Sequence, residues 1–302
     1  MEPKLSIVIV TFNVMELTRK CLNSLKDLEI SAKIIVSDNG SSDGTVEMVK
    51  KEFPNALILD NKQNLGFAKG NNRARKYCRG DYVLILNPDT VVPKNTIEGC
   101  VWYMNKNKDV GAVTCKINLW GGGLDKDSRR SFPTPWVALT HFSYLDRLFP
   151  RIKLFSKYWY SFLSEDAVHE IDIAQGAFCL VRKTVMDKIG WYDEDYFLDG
   201  EDIDLAYKIK QLGYKIIYYP KVKIIHYKGA SKGKQGSGFQ GKVDSAVRKR
   251  AVFSGVESMK IFYKKHYFKK YPWIVNKLVF IGIDTIKTIR LLKFYIFSNP
   301  KH

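Results

Sequence analysis

Four clusters hold the residues best able to do chemistry in this 302-residue chain: Asp38, Asn87-Pro88-Asp89, Glu201-Asp202 and His226. Asp89 follows an apolar run over 82–86, and Pro88, which has no N–H for a ladder, ends that run as a strand. A carboxylate delivered just past a buried strand is suited to holding a hard cation against the oxygens of a diphosphate. The plainer role for Asp89 is to cap the helix expected after Pro93. Glu201 and Asp202 fall at an expected helix start, where the dipole favours ionised carboxylates. Such a group facing a sugar is a suitable general base for a hydroxyl, and the plainer alternative is charge complementarity with the helix end. His226 closes the last strand-like run, either as a structural histidine or as a metal ligand.

Placing these groups together requires a sheet. Apolar runs over 5–10, 33–37, 56–59 and 82–86 alternate with helical patterns over about 16–26, 45–51, 64–78 and 93–105. Four alternations predict an α/β fold with a mostly parallel, doubly wound central sheet. Pro93 suits the first position of its helix. Further strands are expected over 111–115, 177–181, 214–219 and 222–225, with a helix over 201–212. Thr11, Asp38, Gly66 and Asp89 then lie at, or just after, the C-terminal ends of successive strands, the edge where open α/β sheets bind ligands. That cleft suits a nucleotide: Asp38 can accept from a base N–H, Gly66 lets the backbone approach closely, and Lys69 can meet phosphate. Neither a GxGxxG turn nor a Walker-type lysine loop is present. Residues 116–166 follow no period, and long irregular segments beside a site are often functional.

The net charge of +18 is uneven: from Lys228 onward there are 17 Lys and Arg against three Asp and Glu, leaving 32 against 28 before it. The expected division is therefore a catalytic domain over 1–227, then a mobile loop over 228–242 and basic amphipathic helices over about 244–266 and 273–297. The last helix carries Lys277, Asp284, Lys287, Arg290 and Lys293 too evenly for a membrane span. With Trp273, Phe294 and Tyr295 near its ends, it reads as an interfacial helix at an anionic membrane surface. A nucleic-acid partner is disfavoured, because the basic residues alternate with aliphatic ones and form no known reading motif. Five scattered cysteines without a CxxC pair, and no visible signal peptide, indicate a reducing compartment.

Six segments in order resemble a family-2 glycosyltransferase of the GT-A fold, of the rhamnosyltransferase-like branch. They are 6–13, 37–45, 64–72, 86–90, 176–182 and 200–205, with His226 after them. The resemblance implies an inverting enzyme that moves one sugar, rhamnose from dTDP-rhamnose as the best guess, to a lipid-linked or polysaccharide acceptor. Thr11, Asn13, Asp38, Gly66, Lys69 and Asn87 would bind the nucleotide sugar, and Gly176 and Glu201 the acceptor or sugar. Asp202 would be the base, and Asp89 and His226 would hold a divalent cation, Mg or Mn. Asn87 replaces the first acid of the family's DxD motif, which weakens the case for the metal. The enzyme would be cytoplasmic, peripheral on the inner face of the membrane. The alternatives are a UDP- or GDP-sugar donor, or an inactive sugar-nucleotide-binding scaffold.

Overall fold

A computed structural model describes residues 3–228 and 245–298, with side chains over 3–228 and 253–292. In the first half β1 (Leu5–Thr11), α1 (Met15–Ser24), β2 (Ala32–Asp38), α2 (Thr45–Glu52), β3 (Leu57–Asp60), α3 (Gly66–Ala74) and β4 (Tyr82–Leu86) alternate as the sequence predicts. There follow β5 (Thr90–Val91), α4 (Thr96–Lys106), β6 (Val110–Leu119), and three short helices α5 (Pro135–Phe142), α6 (Leu145–Leu148) and α7 (Lys153–Ser156). The chain continues through β7 (His169–Ile171), β8 (Phe178–Arg182), α8 (Lys183–Lys188), α9 (Glu201–Gln211), β9 (Lys215–His226), α10 (Ser245–Phe262) and α11 (Trp273–Ser298).

The sheet order is β3-β2-β1-β4-β8-β6-β9-β5, with β7 also on β9. The leading block β3-β2-β1-β4 is wholly parallel. Beyond it β8 lies antiparallel between β4 and β6, while β6 and β9 pair in parallel. Alternate residues of the apolar runs face opposite sides: Leu5, Ile7 and Ile9 join one core cluster, while Val8, Val83 and Ile85 join the other. Burial on both faces is why these strands read as continuous apolar runs. Each fully buried aliphatic side chain contributes about 1.5–3 kcal/mol.

Two expected boundaries move for local reasons. The strands expected over 214–219 and 222–225 are one strand, β9, whose register against β6 jumps between Tyr219 and Lys223. Pro220 sits in that jump, where a missing N–H does no harm. Pro93 lies ahead of α4 rather than in its first turn, because Asn95 takes a left-handed φ of 65° and the helix starts after it.

The C-terminal helices pack on the body. Phe262, Tyr263 and Tyr267 form an aromatic cluster with Tyr196 and Tyr207, and His266 reaches Asp204 at 2.6 Å. The loop expected over 228–242 lies outside the described residues except for Lys228, as do the side chains of Lys293, Phe294 and Tyr295. Among the described residues, no helix is long and apolar enough to cross a membrane.

Candidate active site

The parallel block delivers the first group of predicted residues. The two oxygens of Asp38 accept from the N–H groups of Gly40 and Ser41, at 3.0 and 2.8 Å, and from the Ser41 hydroxyl at 2.6 Å. Burial pushes its carboxyl up while the Ser41 and Gly40 contacts oppose this. Asn13, at a φ of 52°, accepts from Ser42 N–H and donates its own N–H to Ser41 Oγ. The Thr11 hydroxyl pairs with Thr18 at 2.9 Å. Asp38 and Asn13 thus shape the 38–44 loop by their side chains, and the Thr11 carbonyl accepts from Asn39 N–H at its base, at 2.8 Å. Gly66, at a φ of 82°, permits the close approach of Phe197, whose carbonyl oxygen would lie 2.3 Å from an added Cβ. Gly176 likewise makes room for the Phe67 ring. Lys69 is exposed on α3 and Asn87 is half-buried after β4.

Asp89 and His226 come together. Antiparallel pairing of β5 with β9 puts Thr90 opposite His226, and His226 Nε2 stands 3.3 Å from Asp89 Oδ1. That buried oxygen makes no hydrogen bond of good geometry. On its other side His226 Nδ1 lies 3.1 Å from Asp125, a fully buried carboxylate just after β6. Burial disfavours the imidazolium, but Asp125 and Asp89 outweigh it and push the His226 pKa up to about 9.

From Asp125 a line of alternating charge runs to the other predicted pole. Lys228 Nζ bridges Asp125 at 2.5 Å and Asp127 at 2.6 Å. Arg130 lies in the field of Asp127 and forms a salt bridge with Asp202. Burial opposes the charge on Asp125, yet contacts from His226, Lys228 and Gln175 hold its carboxyl well below the usual range. Burial likewise disfavours the Lys228 and Arg130 cations, and their carboxylate neighbours more than restore them. Asp202 itself stands in the first turn of α9, beside a buried Glu201. Gly200, at a φ of 91°, starts that helix against Ser258 of α10, and Ser254 of α10 clasps the backbone of Leu198.

Asp89 and Asp202, 113 positions apart in the chain, are therefore poles of one network: Asp89, His226, Asp125, Lys228, Asp127, Arg130, Asp202. The four middle residues other than His226 escape sequence reasoning. Asp125, Asp127 and Arg130 lie in the stretch without period, and Lys228 reads there as part of a basic tail. A spacing of Asp, Asp and Arg over 125–130 is too common to serve as a signal.

A divalent cation fits one end of this network. Asp89 offers a buried oxygen and His226, on losing the proton it shares with that oxygen, its Nε2, with Asp125 orienting the ring from its far side as a second-layer partner does in metal sites. Among the described residues there is no group of three or more protein ligands, so the remaining positions would fall to diphosphate oxygens and water.

A curled mixed sheet with its carboxylates gathered on one edge defines a glycosyltransferase fold of the GT-A class. The mannosyltransferase PcManGT from Pyrobaculum calidifontis, solved in complex with GDP-Man and Mn2+, matches 96% of this chain and 85% of its own at a TM-score of 0.51 and 17% identity. The chain belongs to glycosyl transferase family 2, whose model matches residues 6–190. It is 26% identical to the N-acetylglucosaminyl-diphospho-decaprenol L-rhamnosyltransferase of Mycobacterium tuberculosis over 76% of this chain and 78% of that one. It is 28% identical to rhamnosyltransferase WbbL of Escherichia coli K12, over 73% and 82% of the two chains. It is a glycosyltransferase.

Proposed function

We propose that this enzyme transfers one L-rhamnose, with inversion, from a nucleotide-diphosphate sugar to a hydroxyl of a diphospholipid-linked glycan at the inner face of the membrane. The observation that carries the reading is the charge network with a cation-suited pair at one end and Asp202 at the other. Similarity to the two rhamnosyltransferases supports this choice of sugar, similarity to the decaprenol-dependent one supports the class of acceptor, and dTDP-rhamnose is the donor to try first.

The chain's own residues divide the work by position. The 38–44 loop, shaped by Asp38, Asn13 and Thr11, faces the nucleotide, with Lys69 near its phosphates, Asn87 on ribose or sugar hydroxyls, and Gly176 and Glu201 bordering the transferred sugar and acceptor. Asp89 and His226 would hold a divalent cation, which would supply Lewis-acid neutralisation of the leaving diphosphate. Lys228 adds positive charge beside it. Asp202 accepts the proton of the acceptor hydroxyl as that oxygen bonds to the anomeric carbon. The bond from that carbon to the diphosphate oxygen breaks, and the nucleoside diphosphate leaves with its electron pair. Arg130 orients Asp202 until the acceptor arrives and must then share the carboxylate with the incoming hydroxyl. The exposed apolar residues of α11, with Lys277, face the anionic membrane surface, while Lys287 and Arg290 turn toward α10.

Thermal shift with a panel of nucleotide-diphosphate sugars, each with Mn and with EDTA, identifies the donor by mass action. The expected result is one hit, lost with EDTA and in Asp89→Ala. A hit indifferent to EDTA removes the cation from the mechanism. Asp202→Asn is expected to keep that donor shift and lose at least a hundredfold in transfer, the scale of a general base. Wild-type turnover in Asp202→Asn removes the base assignment.

A further inference from the structure

The excursion from β6 to β7 carries a feature that the charge network does not account for. It leaves the site at Arg130, the partner of Asp202, and returns at Tyr158, whose carbonyl accepts from Ser131 N–H at 2.9 Å. Between these points α5, α6 and α7 pack on one another around a small interior of their own. His141 stacks on Tyr158 at 4.0 Å and contacts buried Asp146 at 2.7 Å, and Trp136 donates to the Leu154 carbonyl at 2.9 Å. The outside is apolar to a degree unusual for a surface. Leu139, Leu148 and Leu154 are 57%, 69% and 59% exposed, and Phe142, Tyr144 and Ile152 are exposed with them. On α5 the exposed positions Trp136, Leu139 and Phe142 recur every third residue, while Val137 and Thr140 face inward. An apolar surface of this kind, in a chain with ample polar residues, marks a place where something docks.

Charge identifies the occupant. Arg147, Arg151 and Lys153 are exposed among these apolar groups, and the one acid of the segment, Asp146, is turned inward and matched by His141. Basic residues interleaved with exposed Leu, Ile and aromatic side chains fit an anionic bilayer, with phosphates meeting the cations and acyl chains the apolar groups. We propose that the α5–α7 excursion is a membrane-docking element in its own right, separate from the C-terminal helices. It seats the lipid surface beside Arg130 and Asp202, so that a lipid-held acceptor meets the base without leaving the bilayer. This deepens the membrane-side reading above and rests on it.

The test is flotation of the full-length protein with phosphatidylglycerol-containing vesicles and with neutral phosphatidylcholine vesicles, without donor or acceptor. The wild type is compared with Leu139→Ser/Leu148→Ser/Ile152→Ser and with Leu278→Ser/Ile281→Ser/Leu292→Ser on α11. Melting temperature and donor thermal shift serve as controls of folding. The expected result is salt-sensitive binding to the anionic vesicles that falls at least tenfold in the excursion variant while both controls hold. Wild-type binding in the excursion variant, with loss in the α11 variant, overturns the excursion's role and keeps the membrane reading. No vesicle binding by the wild type overturns both. Light scattering after size exclusion covers the remaining occupant: a wild-type dimer that the excursion variant abolishes, at unchanged vesicle binding, makes this face a self-association surface and overturns the proposal.

Discussion

Asp125 holds the centre of the network because it is wholly buried and contacts His226, Lys228 and Gln175 at once. Its removal leaves His226 with Asp89 alone and Lys228 with Asp127 alone. Asp125→Ala is expected to cost about 3–5 kcal/mol, the scale for breaking a buried ion pair, read as a lowered urea midpoint. Stability within 1 kcal/mol of wild type would count against this role. The cysteines make a second test at this scale. All five are buried, and burial pushes the thiols of Cys21, Cys78 and Cys179 up to about 12. A thiol in the unfolded chain ionises near pH 8.5, so these groups cost no stability below that value. Above it the unfolded chain alone gains by ionising, and stability falls as pH rises toward 12. At pH 8 a thiol reagent is expected to find no fast-reacting cysteine in the native protein and five in urea.

Elements decide what a residue's freedom is used for. Gly66 and Gly190 both take a positive φ, 82° and 79°, but an added Cβ meets the Phe197 carbonyl at the first and nothing within 4 Å at the second. Gly190→Ala is therefore expected to cost about 1 kcal/mol, the conformational term alone. Gly66→Ala adds a backbone clash and is expected to cost about 3 kcal/mol or more. Equal urea midpoints for the two variants would show that the Phe197 contact does not matter. Because Phe67 N–H also donates to the Phe197 carbonyl, the same contact ties the start of α3 to the loop that leads into α9.

For the molecule as a whole, the C-terminal helices pack on the loop that leads into α9 and on α9 itself. Helix α10 clasps Leu198 through Ser254, and Lys265 reaches Asp193 and Asp195 at 2.5 and 2.6 Å. Exposed ion pairs contribute at most about 1 kcal/mol each, so the aromatic cluster with Tyr196 and Tyr207 supplies most of the hold. A chain ended after Lys228 is expected to melt at a lower temperature and to bind a hydrophobic dye, through the uncovered Tyr196 and Tyr207. An unchanged melting temperature would make residues 1–227 an independent domain.

The sequence by itself determined the parallel half of the fold. Its central strands β1 and β4 are buried on both faces and so appear as continuous apolar runs, and the polar residues at the exits of parallel strands can fall only on one edge. It also marked Asp89, Asp202 and His226, because each ends or starts an element whose period is plain. Only the tertiary structure decided how these poles connect. Asp125, Asp127, Arg130 and Lys228 owe their places to contacts between segments far apart in the chain, and no local periodicity encodes a partner a hundred residues away. The same holds for 116–166, whose three short helices bury a small interior and leave most of their apolar residues outside. An amphipathic pattern is the trace of a core on one side and water on the other, and this excursion faces neither in the usual proportion.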